Sequence, residues 1–85
     1  MSKIYKYQLT PALKVVSAQV KQILSFQYQY GIPTVWIEID ESLPFQNITF
    51  EIIGTGWTFE LFGFTYLGTV QENGVVWHCY YKIGE

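Results

Sequence analysis

The residues best suited to chemistry in this chain gather at Gly54-Thr55-Gly56-Trp57. Two glycines one residue apart expose backbone N–H groups that can cradle an anion. Thr55 adds a hydroxyl, and Trp57 adds a face on which a planar ring can stack. The motif lacks the lysine that follows a phosphate-binding loop of the P-loop kind. A structural reading stands beside the functional one, because strand glycines often mark a tight bend or a β-bulge. The two readings are compatible. In the next segment, residues 58–62, Phe59, Leu61 and Phe62 follow no clear period. They either cap the core or contact a partner.

His78 is the single histidine. A lone histidine acts as a general base only with an activated partner. No serine or threonine motif supplies one, and in a strand the adjacent Cys79 points to the opposite face. His78 is therefore read as a contact residue. One histidine and one cysteine do not build a structural zinc site. Glu38, Asp40 and Glu41 lie together, but their spacing matches no calcium loop, and a solvated strand face accounts for them. Hydrolysis by paired carboxylates would need a second acid across a cleft, and nothing positions Glu51 or Glu60 for that. The expectation is a binding protein without cofactor, not an enzyme, whose contacts are Gly54, Thr55, Gly56, Trp57, Trp36 and His78.

The elements that must position these residues have a period of two nearly everywhere, which is the strand signature. Residues 4–10 read as a first strand, with Tyr5, Tyr7 and Leu9 on one face and Pro11 ending it. Residues 13–18 read as a weaker strand or extended edge. In residues 20–30, Val20, Leu24, Phe26, Tyr28 and Tyr30 share one face and Lys21, Ser25, Gln27 and Gln29 the other. Gln22 and Ile23 break that pattern. A turn at Tyr30-Gly31-Ile32-Pro33 leads into residues 34–40, with Val35, Ile37 and Ile39 inward, Thr34, Glu38 and Asp40 outward, and Trp36 on the polar face. Residues 47–53 place Ile48, Phe50 and Ile52 inward. Residues 58–62 form a turn of helix or an irregular connection, and residues 64–71 a sixth strand. Asn73-Gly74 between two apolar runs is a type I′ hairpin signal, because both residues tolerate positive φ. It pairs Glu72 with Val75, Val70 with Trp77 and Thr69 with His78. Gly68 then falls opposite Cys79, where it leaves room for a large neighbour such as Trp77. The fold expected is all-β: one domain over residues 1–85, an antiparallel meander of about six to seven strands closing into a small barrel or a compact sandwich.

The chain is 85 residues long, with five lysines, no arginine and a formal charge of −2. Without arginine or a basic run, nucleic-acid binding through a charged stripe is not expected. Sixteen aromatic residues compete for a small interior, so some reach the surface or an interface, a hint of self-association. The lone cysteine fits a reducing compartment. The start of the sequence lacks the apolar run of a signal peptide. No stretch approaches the roughly 18 apolar residues of a membrane-spanning helix. A cytosolic protein is expected.

The series Lys3-Ile4-Tyr5-Lys6-Tyr7-Gln8-Leu9, Ile23-Leu24-Ser25, Tyr30-Gly31-Ile32-Pro33 before Val35-Trp36, Gly54-Thr55-Gly56, Tyr66-Leu67-Gly68-Thr69 and Val76-Trp77-His78 resembles a family of short phage-encoded proteins of unknown function. The likeness covers nearly the whole chain and rests on order and spacing rather than on one motif. Residues 57–63 depart from the family's more polar, proline-containing sequence there. The resemblance implies no catalytic residues. It implies a phage accessory context, in which small proteins often blunt host defence. The expected partner is a host protein or a small nucleotide-like immune signal in the host cytosol. The alternative is a structural protein forming a symmetric homo-oligomer.

Overall fold

Two tight turns organise the chain. At Tyr30-Gly31 (φ 55° and 76°) and at Asn73-Gly74 (φ 53° and 78°), both central residues have positive φ. That is the type I′ pattern, whose twist matches that of the strands it joins. The computed structural model describes residues 1–10 and 14–84. It contains β1 (Ser2–Gln8), β2 (Val15–Ala18), β3 (Val20–Gln29), β4 (Ile32–Asp40), β5 (Gln46–Gly54), β6 (Thr65–Glu72) and β7 (Val75–Ile83). Pro11, expected to end the first strand, and Leu13, expected to begin the second, lie outside the described residues.

The strands form two antiparallel sheets, ordered β1-β4-β3 and β2-β5-β7-β6. The architecture is a sandwich rather than a closed barrel, since no strand among the described residues joins the two sheets by its ladder. Nor is it a meander. Only β3–β4 and β6–β7 are hairpins; β1 pairs with β4, β2 with β5 and β5 with β7. The reason lies at Ala18-Gln19-Val20, where the chain passes from one sheet to the other. Ala18 and Val20 are both buried, so the apolar pattern continues through the crossing. Gln19 pins the corner: its Nε2 donates to the carbonyls of Glu41 (2.9 Å) and Leu43 (3.0 Å), and its own carbonyl accepts from Asp40 N–H (3.0 Å).

The core lies between the sheets. Leu9, Ala18, Val20, Phe26, Val35, Ile37, Ile39, Ile48, Phe50 and Cys79 are buried there. β3 lies against β6 along one side of the sandwich. On the other side a cleft of about 610 Å³ opens between β1 and β2, lined by Lys6, Tyr7, Gln8, Val15, Val16 and Ser17. Burial pushes the Cys79 thiol up to about 12. It also raises the Tyr28 hydroxyl, helped by nearby Glu72 and Cys79.

Three expectations about facing, burial and packing change. β3 carries register shifts between Val20 and Gln22 and between Ile23 and Ser25. Each bulge adds a residue and reverses the alternation downstream. Hence Ile23, the expected exception, packs against the core, while Leu24, expected inside, is exposed. Thr34, expected outward, is fully buried, flanked by Gln8 and Gln27 on the central strand, with its hydroxyl donating to the Ile32 carbonyl (2.9 Å). Gly68 does sit opposite Cys79, but nothing lies within 4 Å of where its Cβ would be. It makes no room for Trp77, and it follows a register shift between Tyr66 and Gly68.

Candidate functional site

β5 ends at Gly54, and the chain turns back through Thr55 and Gly56. The turn closes with Trp57 N–H donating to the Gly54 carbonyl (3.1 Å). Gly56 takes φ of +91°, the position at which a type II turn requires glycine. Gly54 is buried and serves differently. A Cβ added there would meet the Trp57 indole at 2.8 Å, so the bare Cα is the surface on which the ring lies. The same indole meets Trp77 edge-on, with centroids 5.6 Å apart. Trp77 in turn stacks on Tyr28 at 6.4 Å. The bend expected from the glycines is present. The loop also uses two of its amides internally, since Thr55 N–H donates to the Val76 carbonyl (3.1 Å). An anion cradle would have to work without those two donors.

On the outer face of the second sheet, β7 presents His78 and Tyr80. His78 stands between Ile53 of β5 and Thr69 of β6. Its Nε2 lies 2.7 Å from Thr55 Oγ1 and its Nδ1 2.9 Å from Thr69 Oγ1. Thr69 Oγ1 also bonds Tyr66 Oη, and Thr55 Oγ1 donates to the Val76 carbonyl (3.3 Å). A carbonyl only accepts, so this last bond sets the direction of the one to His78. Thr55 gives its proton to Val76 and therefore accepts from His78 Nε2–H. Thr69 Oγ1 meets both His78 Nδ1 and Tyr66 Oη. Tyr66 reaches this row because of the bulge in β6. In a regular strand, residues 66 and 69 would face opposite sides; the extra residue at Leu67 turns both toward His78.

The turn and the strand together enclose a hollow of about 230 Å³. It is lined by Ile53, Gly54, Thr55, Gly56, Trp57, Phe59, His78 and Tyr80. Five of the six residues expected from sequence thus converge: Gly54, Thr55, Gly56, Trp57 and His78. The sixth, Trp36, is on the outer face of the other sheet, between Lys6 and Ser25, and does not join them. Residues 58–62 form the irregular connection, not a helical turn. Phe59 packs on Tyr80 (5.7 Å), and Tyr66 meets Tyr80 edge-on (5.5 Å). Trp57, Phe59, Phe62 and Tyr66 stay 57%, 47%, 80% and 54% exposed. Trp57 also lines a second hollow of about 250 Å³, with Tyr28, Ile52 and Trp77 behind it and Lys14 among its lining residues. Tyr66, Thr69 and Tyr80 were not among the residues expected. The signal that could have found the first two is Gly68, a strand glycine of the kind that marks a bulge.

Among the described residues no group of three or more His, Cys, Asp or Glu side chains comes together. No helix among them is long and apolar enough to cross a membrane.

Fold and site together define a small two-sheet β-sandwich with an aromatic-walled, hydroxyl-and-imidazole hollow on one outer face. The chain belongs to a family described as a domain of unknown function, DUF7352, whose profile matches residues 1–85. No curated protein and no solved structure matches it.

Proposed function

We propose that this chain is a binding protein that docks a protein partner through the aromatic surface of residues 57–66. The observation that carries this reading is the exposure of Trp57, Phe59, Phe62 and Tyr66 on one segment beside the His78 hollow. Large apolar rings held in water are costly unless something covers them, and aromatic residues dominate binding hot spots. The hollow's lining contains no Lys, Arg, Asp or Glu. That favours a protein surface over a nucleotide signal, whose phosphates are usually held by arginine or lysine. In the phage accessory context suggested by the sequence, the partner is a host factor in the cytosol, and binding blocks it.

The test is native mass spectrometry of the protein purified from a host cell with active antiviral defences. The expected result is a reproducible protein-sized added mass, absent from a Phe62→Ser variant with unchanged melting temperature. A nucleotide-sized mass lost in Trp57→Ala would replace this reading with sequestration of a signal. Copies of this chain with no host protein bound to them would replace it with the assembly reading, for which the outer edges of β1 and β2, each paired on one side only, offer a basis.

A further inference from the structure

Tyr30 is the most exposed aromatic side chain of the described residues, at 90%. It occupies the first central position of the β3–β4 turn with φ of 55°. A non-glycine residue in the left-handed region costs about 1–2 kcal/mol, and asparagine is among the few that visit it routinely. The equivalent position of the β6–β7 turn is Asn73. Turn geometry therefore does not explain a tyrosine at this tip, and an unfavourable conformation kept at an exposed position points to a role.

The His78 hollow has the complementary chemistry. It is of ring size, walled by Trp57, Phe59 and Tyr80, and without Lys, Arg, Asp or Glu. On its floor, Thr55 Oγ1 gives its proton to Val76 and accepts from His78. What remains is one lone pair, which takes a hydrogen-bond donor. A tyrosine supplies both the flat ring and the donor.

The tip and the hollow also sit at the same end of the sandwich. A Cβ on Gly31 would lie 4.0 Å from Glu72 Oε2. Glu72 pairs with Val75, and the next carbonyl, that of Val76, accepts from Thr55 N–H. A twofold axis at this end lets each copy give and receive one tyrosine at once, which is the closed form of such a contact.

We propose that the chain self-associates by exchanging Tyr30: the tyrosine of one copy enters the His78 hollow of a second, reciprocally. This goes beyond the docking reading above, which shares Trp57 and Phe59 with the hollow and is told apart from it by Phe62, outside the hollow.

Native mass spectrometry and sedimentation velocity of the purified full chain test it. The wild type is expected to form a dimer. Tyr30→Asn, a better turn residue that keeps the fold, is expected to raise the dimer dissociation constant by at least about tenfold. Tyr30→Phe, which keeps the ring and loses the donor, is expected to fall between. Phe59→Ser removes a wall of the hollow and is expected to be monomeric. An equimolar mixture of Tyr30→Asn and Phe59→Ser is expected to regain a heterodimer, because the pair retains one intact tyrosine and one intact hollow. A wild type that stays monomeric, a Tyr30→Asn protein as dimeric as wild type, or a mixture that stays monomeric would each overturn the proposal. Partner capture that depends on Phe62 would survive any of these results, so failure here is distinguishable from failure of the docking reading.

Discussion

One tryptophan lies on the outer face of the first sheet and another on the turn after β5, and the structure treats them in opposite ways. Trp36 lies on the central strand of the first sheet, half-buried between Lys6 and Ser25. Polar side chains around it are bonded to one another: Lys6 donates to Gln29 Oε1 (2.7 Å) and Gln22 to Glu38 Oε1 (2.8 Å). Trp57 lies past the end of β5, on a turn with no strand on its outer side, and stays 57% exposed. A central strand covers even a small outward residue such as Thr34, whereas a turn leaves a large ring in water. Position in the sheet, more than residue type, separates a face closed on itself from one open to a partner.

The largest expected effect breaks the comparison by melting the core that both faces share. The Cys79 thiol is raised from about 9 to about 12 by burial. A raised pKa stabilises the fold fully below the unfolded value, and that contribution is lost as pH rises through the folded one. At about 1.4 kcal/mol per unit, the loss reaches about 4 kcal/mol between pH 9 and 12. Tyr7 and Tyr28, also raised by burial, act in the same direction at higher pH. Urea denaturation across this range is expected to show falling stability, with a shallower fall in Cys79→Ala. Parallel slopes in the two proteins would show that the thiol does not titrate against the fold.

The next effect separates the faces. Gly54→Ala places a Cβ 2.8 Å from the Trp57 indole. The ring must leave its seat on the strand, and overpacking of this kind costs about 1–3 kcal/mol. Denaturation combined with tryptophan fluorescence is expected to report both the lost stability and a more solvated indole. Partner capture is expected to fall with them. A wild-type emission spectrum in this variant would mean that the indole does not depend on the bare glycine.

These two effects also mark what the sequence could and could not tell. The Asn73-Gly74 turn was legible to single-residue register, because two residues that accept positive φ leave one way to pair the flanking strands. The convergence of Gly54, Thr55, Gly56, Trp57 and His78 was legible as a set of residues, though not as a geometry. The pairing of β1 with β4 and of β2 with β5 was not legible, because alternation says which side of a strand is apolar and not which strand lies beside it. The bulges at Lys21, Leu24 and Leu67 were hidden for a related reason. One added residue changes the face of everything after it, and only the misfit pair Gln22-Ile23 and the strand glycine Gly68 hinted at it. Trp36 looked like an outward aromatic on a polar strand, and no sequence pattern reveals that both its neighbours belong to other strands.

His78→Ala sharpens the comparison further. It leaves Thr55 and Thr69, both exposed, without their shared partner, and losing hydrogen bonds open to water costs about 0.5–1 kcal/mol. Thermal unfolding is expected to show a lower melting temperature, and partner capture or dimerisation is expected to weaken. His78→Asn, which can both donate and accept, is expected to recover part of the stability. If the alanine variant were as stable as wild type, the row from Tyr66 to Val76 would contribute nothing to the fold.

The smallest effect comes from the first sheet's outer face. Gln22→Ala removes the hydrogen bond that contributes most to holding the Glu38 carboxyl below its usual range; Ser2 and Lys21 contribute less. A lowered carboxylate pKa adds stability above its unfolded value, near 4.5, that is lost as pH falls through the folded one. The variant is therefore expected to be slightly less stable than wild type at neutral pH and to converge with it on acidification. Carboxyl titration followed by NMR is expected to show the Glu38 midpoint moving up. Partner capture and subunit count are expected to stay at wild-type values, because the groups on this face bond mainly to each other. If Gln22→Ala abolished partner capture instead, the first sheet would belong to the interface, and the contrast between a closed face and an open one would fail at its base.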